Sequence, residues 1–250
     1  MKNSFIGDTP ERRKELIRGY FTAVTAMDAA IGRILETVHE LGLEEDTIVI
    51  FTSDNGMNVG QHGVWGKGNG TYPQNFYEES IKVPLILRVP GKAPRQVEHM
   101  VSHLDVFPTL LELCGIEDSG QHTEGRSFAK TLDGAHFSRT HVSVCAEYGA
   151  VRMVRDERFK YVKNEIDGED LLFDLERDPR ENINFLPNPA YAQTLCHMQS
   201  LLDESFRPYE SSDKNGRFQY PQGMGQATLC SRKDGVAPYK QNREMYHTSP

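Results

Sequence analysis

Ser53-Asp54-Asn55-Gly56 sets a carboxylate beside an amide carbonyl directly after an apolar run. Oxygen donors of this kind suit a hard cation such as Ca²⁺ or Mg²⁺. The same four residues are also ordinary turn chemistry after a strand, because Asp, Asn and Gly all favour tight turns. A few residues on, Gly60-Gln61-His62-Gly63-Val64-Trp65-Gly66-Lys67-Gly68 adds a second kind of group. Glycines let backbone approach a ligand closely, Lys67 brings three donors and a positive charge, and His62 can donate a proton or bind an oxyanion. Together the two stretches describe a cation subsite at Asp54 and Asn55 beside an anion subsite at Lys67 and His62. Taken singly, Lys67 reads as a solvated lysine and His62 as a loop hydrogen-bonding residue.

These residues need elements to hold them. Thr47-Ile48-Val49-Ile50-Phe51-Thr52 is β-branched and nearly all apolar, which predicts a strand covered on both faces and ending just before Asp54. In open α/β sheets ligands gather beyond such strand ends. Apolar residues at three- and four-residue spacing from Pro10 to Leu41 predict a long helix, started by Asp8, Thr9 and Pro10 and stopped by Gly42. An unbroken helix of this length would extend roughly 48 Å, so its first turns are expected to be partly separate. Val83 to Val89 reads as a second strand, and Asp105 as the cap of a short helix through Leu113. From Val142 to Val162, short strand-like runs split at Gly149-Ala150 and at Asp156-Glu157-Arg158 predict antiparallel hairpins, followed by a helix around Ala190 to Phe206. The expected organisation is thus α/β, with residues 1–135 in a catalytic α/β domain, 136–206 in a small antiparallel subdomain with a helix, and 207–250 as an irregular tail.

Composition narrows the function classes. The 250 residues carry 28 Lys and Arg against 36 Asp and Glu, a formal charge of −8, with no long basic run to neutralise phosphates. Nucleic acid is not an expected partner. No apolar segment approaches the ~20 residues that span a bilayer, and the N-terminus has no apolar export region, so no membrane association and a cytoplasmic location are expected for the chain as written. Four cysteines without a C-x-x-C pair read as buried or free thiols. His99 and His103 have the spacing of a helical zinc pair, but Met100 stands where a zincin carries glutamate, so zinc is not expected there.

The ordered motifs T-I-V-I-F-T-S-D-N-G, G-x-H-G-x-x-G-K-G, Y-E-E-S-I-K-V-P-L-I-L-R-V-P-G (Tyr77 to Gly91) and V-S-H-L-D-V-F-P-T-L-L (Val101 to Leu111) resemble the sulfatases of the alkaline phosphatase superfamily. The resemblance continues through V-R-M-V-R-D-E-R-F-K-Y-V and L-L-F-D-L-E-R-D-P-R-E-N, ending at Asn182. It implies an alkaline-phosphatase-like sandwich with a mostly parallel sheet, and cleavage of aryl or carbohydrate sulfate esters. It further implies that Asp54 and Asn55 ligate a metal, usually calcium, and that Lys67 contacts the sulfate, with His62 on a recurrent motif position. A phosphodiesterase or phosphonate monoester hydrolase on the same scaffold is the alternative, and a non-catalytic anion-binding remnant is a third reading.

Sulfatases use a cysteine or serine in C-x-P-S-R or S-x-P-x-R context, matured to formylglycine. None of Cys114, Cys145, Cys196 and Cys230 lies in such a context, no serine does, and the chain contains no adjacent aspartates. The chain is therefore expected to be a C-terminal portion, inactive alone, whose N-terminal half would supply the formylglycine. Uncovered apolar surface on the long helix and an exposed sheet edge are expected to follow.

Overall fold

The computed structural model describes residues 2–3, 9–68, 71–72, 74–117, 124–146, 151–165 and 169–210, with 2–3 and 72 as backbone only. The expected irregular tail beyond residue 210, the Gly149-Ala150 break, Asp8 and Cys230 lie outside the described residues.

Helix α1 runs without interruption from Pro10 to Glu40, so its first turns are not separate as expected. Its ends explain this. Thr9 Oγ1 accepts from Arg12 N at 3.2 Å, Pro10 occupies the first turn where no donor is required, and no proline follows inside. At the other end Gly42 adopts φ 66, with Leu43 N donating to Val38 O and Gly42 N to His39 O. That pattern is a Schellman stop. No residue of α1 is buried, and Phe21 and Ile34 are 60% and 62% exposed. The stripe read from the sequence faces no covering element among the described residues.

Strands β1 (Lys2–Asn3) and β5 (Thr71–Tyr72) pair with each other, as do β3 (Asn58–Val59) and β4 (Trp65–Gly66). Strand β2 (Val49–Thr52) pairs with β6 (Leu85–Arg88) in the register Val49 to Arg88 and Thr52 to Leu85. The α/β class is as expected, but the mostly parallel sheet is not what these strands make: every pairing among the described residues is antiparallel. Nor is β2 covered on both faces, since its residues are half-buried or exposed and Ile86 opposite Phe51 is 62% exposed.

Both buried apolar clusters of the described residues include strands of a meander of β7 (Val142–Cys145), β8 (Val151–Arg155), β9 (Phe159–Asn164) and β10 (Leu171–Asp174), ordered β10-β9-β8-β7. Period-two alternation gives it two apolar faces. Val154, Tyr161 and Leu172 pack on Tyr191 and on Met198, Leu202 and Phe206 of helix α4 (Ala192–Phe206). Val151, Met153 and Val162 face the other way, onto Phe76 and Ile81. Residues 75–81, including the single-turn helix α2 (Glu78–Ile81), therefore form a strap lying against the sheet.

Helix α3 (Val106–Leu113) follows a 3₁₀ turn at His103–Asp105. Here the cap is Ser102, whose hydroxyl accepts from Leu104 N while Asp105 Oδ2 accepts from Ser102 N. Asp105 is the reciprocal member of that capping box and does more than cap: fully buried, it also takes the Arg126 N–H and the Arg139 guanidinium. His99 lies outside any helix, so it shares no helical face with His103. Its ring meets His136 edge-on at 4.7 Å.

Candidate functional site

Asp54 and Asn55 sit just past the carboxyl end of β2, where the strand stops and the backbone turns. Asp54 Oδ1 accepts from Asn55 N at 2.9 Å, and the Ser53 hydroxyl donates to Asn55 O at 2.8 Å. Local side-chain-to-backbone bonds of this kind hold a turn without a ladder. The turn is also pressed onto the strap. Gly56 N donates to Ser80 O at 3.0 Å, and a Cβ on Gly56 would lie 2.0 Å from Glu79 O, so only glycine allows this approach.

Lys67 arrives from the next loop and is fixed through its neighbour. Asn75 N and Nδ2 both donate to Gly68 O, at 2.9 and 3.1 Å, and a Cβ on Gly68 would lie 2.9 Å from Asn75 O. A buried polar chain links the two loops to the strap. Asn58 Nδ2 donates to Ser80 Oγ at 2.6 Å, and Ser80 Oγ donates to Asn75 Oδ1 at 2.6 Å. With both loops held on one strap, Lys67 Nζ comes to 3.9 Å from Asp54 Oδ2. The structure thus brings Asp54 and Lys67 together at a solvent-facing surface, Asp54 being 81% exposed, with Asn55 next in the chain and its Nδ2 donating to Gly56 O at 2.8 Å.

His62 goes elsewhere. Its imidazole stacks on Tyr77, centroids 3.6 Å apart and nearly parallel, and its Nε2 lies 3.3 Å from Glu79 Oε2. Glu181 completes a triangle, the ligand-type atoms of His62, Glu79 and Glu181 all lying within 4.8 Å of one another. His62 and Glu181 are the non-glycine residues with positive φ among those described, at 54 and 52. Left-handed backbone at such residues costs about 1–3 kcal/mol each and persists where surroundings impose it.

Behind Glu181 stands Lys160, fully buried in β9. It donates to Phe76 O at 2.9 Å and sits 2.6 Å from both Glu78 Oε1 and Glu181 Oε1. Glu78 N in turn donates to Glu181 Oε2 at 2.7 Å, and Arg155 Nε reaches Glu78 Oε1 at 3.2 Å. Burial raises the Glu181 carboxyl, with Lys160 opposing the rise. Burial alone would raise Glu78 as well, but Lys160 and Arg155 more than reverse it and hold that carboxyl low. Burial, then the Glu181 and Glu79 charges, raises the Tyr77 phenol.

Reasoning from residue types missed this clamp. Glu78, Glu79, Glu181 and Lys160 fall inside the quoted motifs, yet nothing in their spacing couples them, since Glu78 and Glu181 are 103 residues apart. A lysine inside the strand-like run Phe159–Val162 was the one available signal.

For a hard cation, Asp54 and Asn55 have the right donor chemistry but supply two oxygens toward the six to eight that calcium takes. The remaining ligands have to come from water or from other residues. Between two loops glued to one strap, a metal-type donor pair faces an ammonium.

The sulfatase family model matches residues 2–116, and the model for the C-terminal part of N-sulphoglucosamine sulphohydrolase matches residues 60–207. The choline-sulfatase of Rhizobium meliloti is 34% identical over 186 residues, covering 72% of this chain and 35% of that protein. Human arylsulfatase K is 32% identical over 191 residues, covering 69% and 34%. The chain spans roughly a third of the length of these relatives. Among solved structures, one determined in complex with its substrate D-glucosamine-2-N,6-O-disulfate superposes with a TM-score of 0.69 at 27% identity, covering 82% of this chain and 43% of that one. The phosphonate monoester hydrolase of Agrobacterium radiobacter superposes at 0.61 with 30% identity, over 82% and 43%. With one family model spanning the strand, the loops and the strap, and the other the strap and the meander, the chain belongs to the sulfatase family.

Proposed function

We propose that this chain carries the C-terminal part of the active site of a sulfuric ester hydrolase, which converts a sulfate ester and water to an alcohol and inorganic sulfate. The observation that carries the reading is the 3.9 Å approach of Lys67 Nζ to Asp54 Oδ2, with Asn55 adjacent. Lys67 would bind a sulfuryl oxygen and stabilise charge developing on the ester oxygen, because an ammonium aimed at that oxygen favours the more anionic transition state. Asp54 and Asn55 would hold a divalent cation, calcium or magnesium, which when bound polarises the sulfuryl oxygens. The nucleophile belongs to no residue of this sequence, which contains no C-x-P-S-R or S-x-P-x-R segment. The reading therefore assigns it to a formylglycine on an N-terminal half, and assigns residues 1–135 to the catalytic domain and 136–206 to the subdomain behind the strap.

Calorimetry on the chain tests the binding half of this reading. Calcium uptake lost in Asp54→Ala, and sulfate binding weakened in Lys67→Ala, are the expected results. Hydrolysis of an aryl sulfate is the second arm, measured with the chain joined to a nucleophile-bearing segment. Turnover unaffected by Asp54→Ala would defeat the assignment. The phosphonate monoester hydrolase likeness supports a second reading, in which the same groups bind a phosphonate ester. An aryl phosphonate cleaved faster than the matching aryl sulfate would favour it.

A further inference from the structure

We propose that His62, Glu79 and Glu181 form a second cation site, one that takes a transition-metal dication such as Zn²⁺ and is separate from Asp54 and Asn55. The proposal does not rest on the sulfatase reading. One imidazole nitrogen and two carboxylates make a mixed donor set of the type that binds zinc with a fourth position left open, and imidazole selects against calcium and magnesium. The three donor atoms already lie within 4.8 Å of one another, so a shift of side-chain torsions alone brings them around one ion.

Three further observations point to a cation there. Lys160, Arg155 and Lys82 all act on Glu78, Lys160 also meets Glu181, and Glu79 faces the His62 imidazole, so the fixed cations gather at Glu78 rather than along the Glu79–Glu181 edge of the triangle. Glu181 is nearly inaccessible to solvent, so water does little to stabilise its charge. Its oxygens accept from Glu78 N and meet Lys160, but a carboxylate has about four lone-pair positions, and two remain. The donors are also oriented from behind in the manner of ligands. Tyr77 fixes the plane of the imidazole, and the Glu78 N–H fixes the Glu181 carboxylate. Finally, the two left-handed non-glycine residues, His62 and Glu181, are both members of this triangle. An ion bound here would staple the loop that carries Lys67 to the strap and to the segment following β10.

The test is titration of the metal-stripped full chain with Co²⁺, followed by visible ligand-field absorption, and with Zn²⁺ by calorimetry. The expected result is a saturable Co²⁺ band displaced by Zn²⁺, with affinity lowered at least about 10-fold in His62→Ala and in Glu79→Gln, and unchanged in Asp54→Ala. His99→Ala, which removes the edge-on His99–His136 pair, should also leave it unchanged. Near-UV circular dichroism reports whether each variant keeps its fold, and Glu79→Gln, which preserves side-chain shape at a partly exposed position, decides the matter if His62→Ala does not fold. Absence of saturable uptake, uptake undiminished in Glu79→Gln, or uptake abolished by Asp54→Ala would overturn the proposal.

Discussion

Lys67 and Asp54 are both substantially exposed and 3.9 Å apart, so the pair contributes little to stability and is free to exchange partners for a bound ion and anion. Replacing Lys67 by Ala should leave the melting temperature nearly unchanged and weaken sulfate binding by the equivalent of about 1.5–3 kcal/mol, the worth of a hydrogen bond to a charged group. Lys67→Arg should restore only part of it, since a planar fork does not reproduce a point charge. Asp174 behaves oppositely. It is fully buried and bound by Arg158 Nε and Nη2 at 3.1 and 2.8 Å and by the Tyr191 hydroxyl at 3.0 Å. The Arg158 hydrogen bonds foremost hold its carboxyl below the usual 3.8. A depressed carboxyl contributes stability that is present above its unfolded value and is lost as pH falls through the folded one. Acid unfolding below about pH 3.8 should therefore be shallower in Asp174→Asn than in the parent when urea midpoints are compared across pH, alongside a lower midpoint at pH 7.

The strap is the element on which the site depends, because it touches β2's turn, the Lys67 loop and the C-terminal sheet. Gly56→Ala forces a Cβ into the Glu79 carbonyl, 2.0 Å away, with backbone on both sides of the clash. About 1–3 kcal/mol of destabilisation is expected, read as a lower urea midpoint at constant slope. Lys160→Ala removes the charge between Glu78 and Glu181 and the donor to Phe76 O, and should cost about 3–5 kcal/mol, because the buried Glu181 carboxylate loses its cation while Glu78 keeps Arg155. The strand itself, its terminal D-N-G turn, the start and stop of α1 and the C-terminal meander were all legible, since each depends on neighbours a few residues away. The pairing of β2 with β6 was not, because an apolar β-branched run suits parallel and antiparallel partners equally well.

At the scale of the whole molecule, the contrast is between a meander packed on both faces and a 31-residue helix with no buried residue. Exposed Ile17, Phe21, Met27, Ile34 and Leu35 give α1 an apolar face of the kind that drives association. Light scattering should show concentration-dependent association of the chain, reduced in the double variant Phe21→Glu and Ile34→Glu, with loss of hydrophobic-dye fluorescence. No described helix is long and apolar enough to cross a membrane. Residue order by itself determined that a carboxylate, an amide and a lysine follow one strand in two glycine-bearing loops, because turn chemistry and glycine freedom act over a handful of residues. Only the tertiary structure decided that Lys67 faces Asp54 while His62 turns toward Glu79 and Glu181. The strap and Glu181 are tied together through a buried lysine whose partners are distant in the chain, and electrostatic pairing in a low-dielectric interior depends on distance in space, which no spacing along the sequence encodes.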